Sequence, residues 1–119
     1  MKTLHALLTC IFLSACSTTP SDPAQTIYQV QNNYSAALIV AVAYKALPPC
    51  SVPNAPVLCS KADVVTQLQR ADNIAYPALQ AAQHTVRTPG AGANAQTAIF
   101  AAQEAVAALT SITATLQVK

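Results

Sequence analysis

Leu47-Pro48-Pro49-Cys50-Ser51-Val52-Pro53-Asn54-Ala55-Pro56-Val57-Leu58-Cys59-Ser60 divides the chain. Leu47-Pro48-Pro49 stops a helix arriving from upstream, because proline lacks the amide donor and its ring clashes with the preceding turn. Upstream, Asp22-Pro23 reads as a helix start: the carboxylate can cap exposed amides, and proline sits where no donor is needed. Ile27, Val30, Tyr34, Leu38, Ala41 and Tyr44 then recur at three- and four-residue spacing, one apolar face of a helix. Ala36 to Leu47 is apolar except for Tyr44 and Lys45 and reads as a buried central helix. Its twelve residues are too few to cross a membrane, which takes about 20.

Downstream, Ser60 is expected to begin a second helix, with Asp63 as favourable first-turn charge. Val64, Leu68, Ala71, Ala75, Leu79, Ala82 and Val86 form its stripe. Pro77 interrupts it, so the pattern predicts a helix over about 61–87 kinked at Pro77, or two shorter helices meeting near Tyr76. Thr88-Pro89-Gly90-Ala91-Gly92-Ala93-Asn94 holds both glycines and reads as a flexible interhelical turn. It lacks the lysine-bearing end of a phosphate loop. A last helix is expected from about Asn94 to Leu116, with Ile99, Ala102, Val106, Leu109, Ile112 and Leu116 inward. Ala98, Ala101, Ala105 and Ala108 are expected to widen that face, and Thr110, Ser111, Thr113 and Thr115 to weaken the final turns. The fold class is all-α, a small three-helix antiparallel bundle. A coiled coil or an oligomerising hairpin is the competing arrangement.

The 119 residues carry 53% hydrophobic and 8% charged side chains, with net charge +2. That composition is too apolar for an ordinary disordered tail. No basic patch emerges, so no nucleic-acid partner is expected. Much of the apolar content is alanine, which buries little area. A thin core needing a partner or a covalent link follows.

The leader reads Met1-Lys2, an apolar run from Leu4 to Leu13, then Leu13-Ser14-Ala15-Cys16. A positive start, an apolar segment and small residues before a cut are the features of an export signal. Together with the cysteine, they resemble the signal peptide and lipobox of bacterial lipoproteins. That resemblance implies removal of residues 1–15 and acylation of Cys16, which anchors the chain in a lipid bilayer. Ser17 replaces the aspartate associated with inner-membrane retention, which implies the outer membrane, facing the periplasm. Residues 16–21 become a lipidated end with a short tether, and residues 22–119 a single domain. An ordinary secretory peptide cut near Ala15 competes with this reading. An uncleaved anchor is disfavoured by the short apolar run.

In an exported chain, Cys50 and Cys59 are expected to form a disulfide, stapling the interhelical loop. With Cys10 removed and Cys16 lipidated, they are the remaining pair. Their spacing and the lack of a nearby histidine disfavour a metal pair.

The sequence predicts no catalytic, cofactor or metal site. His84 is the one histidine after the leader. Nothing fixes Asp72, Glu104 or a hydroxyl beside it as a catalytic set would require. Tyr34 and Tyr44 share the inward face of the first helix. Tyr28 and Tyr76 fall outside the regular stripes and are the candidate partner contacts, with groove filling as the plainer alternative. Polar uncharged faces rich in Gln and Asn suit peptidoglycan, protein or water.

The plan is similar to helical pilotins, short lipoproteins that bind a secretin tail and guide it to the outer membrane. The similarity covers size, lipobox, helicity and a cysteine pair, with no groove motif. It implies a small anchored adaptor or scaffold for an envelope protein. A self-associating structural lipoprotein and a phage-derived or defensive envelope lipoprotein are the alternatives.

Overall fold

A computed structural model describes residues 22–117. The expected leader, the lipidation site Cys16 and residues 17–21 of the tether lie outside the described residues. Three helices follow in order: α1 Pro23–Lys45, α2 Ala62–Arg87 and α3 Gly92–Gln117. Each packs on both others, which makes the chain a three-helix bundle. The order is up, down, up, so α1 and α3 run parallel and α2 runs against both.

Asp22 caps α1 by accepting a bond from the Ala24 amide at 3.1 Å, with Pro23 at the first helical position. The α1 stripe supplies Ile27, Val30, Tyr34 and Ala37 to the core, flanked by Leu38, Ala41 and Tyr44. From α2 come Leu68, Ala75, Leu79 and Ala82, and from α3 Ile99, Ala102, Val106 and Leu109. Of the twelve residues in this cluster, four are alanine. Alanine buries little apolar area per residue, so this core is thin.

Ser60 does not begin α2, which starts at Ala62. Lys61 is the N-cap of α2 and makes no side-chain capping bond. Ser60 is buried instead, its hydroxyl donating to the Leu47 carbonyl at 3.0 Å. Its amide donates to Pro48 O at 2.9 Å, and its carbonyl accepts from the Cys50 amide at 3.0 Å. These bonds close the base of the loop, and the Cys50–Cys59 disulfide closes it again, with Cα atoms 4.9 Å apart. The Tyr44 hydroxyl accepts from the Lys61 amide at 3.0 Å, tying the end of α1 to the start of α2. Asn54, in the loop, takes a left-handed φ of 60°, a conformation asparagine tolerates.

The helix α2 is continuous through Pro77 rather than split in two near Tyr76. Pro77 has no amide for the Asn73 carbonyl. Both residues are exposed, so water can serve that carbonyl. Between α2 and α3, Ala91 N donates to Thr88 O at 3.2 Å, with Pro89 second and Gly90 third in the turn. Gly90 has φ 78°, the sign that this third position requires.

Two of the four alanines expected to widen the α3 face do not. Ala98 and Ala105 pack against the core, whereas Ala101 and Ala108 are exposed. The helix persists to Gln117 through its Thr/Ser-rich end. Thr110, Ser111, Thr113 and Thr115 donate their hydroxyls to carbonyls of their own helix at 2.7–2.9 Å. That satisfies Thr113, which is buried. By length and composition Gly92–Leu116 could cross a membrane, with mean hydropathy 1.4. In this fold its inward face instead completes the bundle core.

Candidate functional site

Tyr28, Ile39, Val42 and Tyr76 are exposed along the outer surface shared by α1 and α2, while Ile74 and Phe100 are exposed elsewhere on α2 and α3. In the second half of α1, apolar residues lie on every side, but only the inward side has helices against it. Ile39 and Val42 are therefore left 72% and 64% exposed. Leu38, Ala41, Val42, Val65 and Leu68 line a shallow groove of about 140 Å³ between the two helices. Lys45 stands at one end and Asp72 at the other, with Gln69 on the α2 side. Drug-sized ligands occupy about 300–1,000 Å³ of enclosing space, so this groove suits side chains of a facing surface better.

At the Asp72 end, the Tyr34 hydroxyl donates to Asp72 Oδ1 at 2.6 Å. The Tyr34 ring stacks on Tyr76, with centroids 6.3 Å apart and planes 29° from parallel. Burial is the main cause pushing the Tyr34 phenol well above its ordinary range. The bond to Asp72, that carboxylate's charge and Tyr76 push the same way. A neutral phenol held against a carboxylate locks the two helices in register. This pair was not legible beforehand, since its members are 38 positions apart. Asp72 fell one residue beyond the inward stripe position Ala71, which was the available signal.

Tyr76 is 51% exposed, and its hydroxyl accepts from the Gln80 side-chain amide Nε2 at 2.6 Å. Tyr28 is 62% exposed, nearer the N-terminal end of α1. Positions 28, 35, 39 and 42 share one side of α1 by helical spacing, so Tyr28 and Ile39 belong to one lateral strip. Tyr76 borders the same α1–α2 surface through its stack on Tyr34.

A second apolar exposure lies at the loop end of the bundle. Val52, Val57 and Leu58 are exposed there, close to the disulfide. Lys45 and Lys61 line a depression at its base with Pro49, Cys50 and Ser60.

His84 is exposed near the C-terminal end of α2, beside Arg87. The Arg87 charge in that last turn complements the helix dipole. Glu104 is exposed on α3. Among the described residues, no group of three His, Cys, Asp or Glu residues could hold a metal ion.

No family model, curated protein or solved structure matches the chain.

Proposed function

We propose that this chain is a small lipid-anchored envelope protein, held at the outer membrane through acylated Cys16, that works by contact as an adaptor or scaffold for another protein. The observation that carries the contact role is the uncovered apolar side of α1, with Ile39 and Val42 beside the α1–α2 groove. Isolated apolar residues are common on surfaces, but a strip on one helix beside an apolar groove supports a contact role. Tyr28 and Tyr76 are the anchoring contacts, since tyrosine supplies rigid apolar area and a hydrogen bond at little entropic cost.

The helix α1 spans 23 residues, about 35 Å at 1.5 Å per residue. Cys16 precedes α1 in the chain, and the disulfide loop follows the C-terminal end of α1.

The test is crosslinking of the full chain in intact cells, with a photo-crosslinking residue at Tyr28 or Tyr76 and mass spectrometry of the products. One envelope protein should be recovered, and the Cys16→Ser variant should lose it. Equal recovery from Cys16→Ser removes the anchor from the function. Recovery of no protein at either position removes the adaptor role.

A further inference from the structure

We infer that the α1–α2 face pairs with a second copy of this chain about a two-fold axis crossing the groove near Val42 and Gln69. This goes beyond the adaptor reading: it gives the groove, Val42 and Ile39 to a second copy and leaves Tyr28 to another protein. Charge and register favour this pairing. Lys45 lies near the level of Val65, and Asp72 is seven residues further along α2, about 10 Å along the axis. Leu38, Ala41, Val42 and Leu68 fill the interval, with Gln69 as its polar side chain, so the face is positive at one end, mostly apolar in the middle and negative at the other.

Such a face is complementary to itself. A two-fold axis through its middle reverses the second copy, bringing each Lys45 toward the other copy's Asp72. An isologous contact repeats every interaction twice, so one ion pair becomes two. The Tyr34 hydroxyl engages Asp72 Oδ1, and a carboxylate can accept further bonds. Near the axis, Val42 meets Val42 of the second copy, and Ile39 on each side is drawn under cover. A parallel arrangement would instead set lysine against lysine, so the charges fix the direction as well as the contact. Tyr28 lies beyond the groove toward the N-terminal end of α1 and stays open to another protein.

A cysteine close to a two-fold axis can crosslink to its own copy. The full-length chain carrying Val42→Cys, expressed in cells and oxidised in the intact envelope, should give a disulfide-linked dimer on a non-reducing gel. Wild type controls for the native cysteines, and Phe100→Cys on exposed α3 controls for random collision. Both should remain largely monomeric. Adding Ile39→Asp to Val42→Cys should abolish the dimer while leaving the helical circular dichroism unchanged, because Ile39 is outside the core. Dimer from Val42→Cys no greater than from Phe100→Cys overturns the pairing. Should Val42→Cys instead link to a different protein, the pairing is overturned and the adaptor reading stands.

Discussion

Tyr34 connects the two helices of the proposed face through one hydroxyl. Its bond to a half-buried carboxylate belongs to the stronger class of hydrogen bonds, and Tyr34→Phe keeps the ring while removing the donor. The expected loss is about 1–2 kcal/mol in urea unfolding at neutral pH, and an unchanged midpoint would contradict it. The alkaline behaviour follows from the raised phenol. Below the ordinary value of 10.0, the phenol is protonated in both folded and unfolded chains and adds no pH dependence. Above it, the unfolded chain releases the proton while the folded chain keeps it. Stability therefore falls as pH rises from about 10 through the folded value. Tyr34→Phe should reduce that fall, measured as the difference between unfolding free energies at about pH 8 and about pH 11. Equal alkaline losses in the two proteins would show that Tyr34 ionises alike in both states.

At the scale of elements, the disulfide loop and α2 make separate demands. The Cys50–Cys59 link joins residues nine apart and restricts the unfolded chain, so Cys50→Ser with Cys59→Ser should cost about 2–4 kcal/mol. Urea unfolding of that double variant against wild type measures it. A smaller shift would mean that the Ser60 bonds to Leu47, Pro48 and Cys50 already hold the loop base. Pro77 acts in the opposite direction. An alanine there restores the amide below Asn73, and Pro77→Ala should stabilise α2 by up to about 3 kcal/mol, seen as a higher melting temperature. No gain would mean that the proline ring makes a compensating contact.

The inward stripes of α1, α2 and α3 were legible because three- and four-residue spacing depends only on helix geometry. The boundaries at Asp22-Pro23 and Pro89-Gly90 were legible because those residues carry backbone constraints of their own. Ser60 was not, because a serine before a helix is equally suited to capping and to bonding a loop carbonyl. Only the return of the chain past Leu47 decided between them. Ala101 and Ala108 were misjudged because alanine carries little preference for either side of a helix. The reading of Ala36 to Leu47 as a buried central helix missed its uncovered side. A segment apolar all round signals burial, yet a bundle of three helices can cover only part of any one of them. The candidate site was legible only in Tyr28 and Tyr76; the groove depends on the distant Asp72 and on how α2 lies beside α1.

For the whole molecule, the thin core and the uncovered α1 side have a joint consequence. Four of the twelve core residues are alanine, so the bundle gains less from burial than one filled with leucine. Covering Ile39 and Val42 adds apolar burial that the single chain lacks. If pairing supplies it, the folded state is coupled to association, and mass action makes stability depend on protein concentration. The melting temperature of the full chain in detergent should then rise with concentration. Ile39→Asp should remove that dependence without lowering the melting temperature measured at high dilution, because Ile39 is 72% exposed and outside the core. Differential scanning calorimetry across a concentration series reads both effects. A melting temperature constant across the series, and equal in Ile39→Asp, would mean that the single bundle is self-sufficient and that its apolar side is held for a different protein.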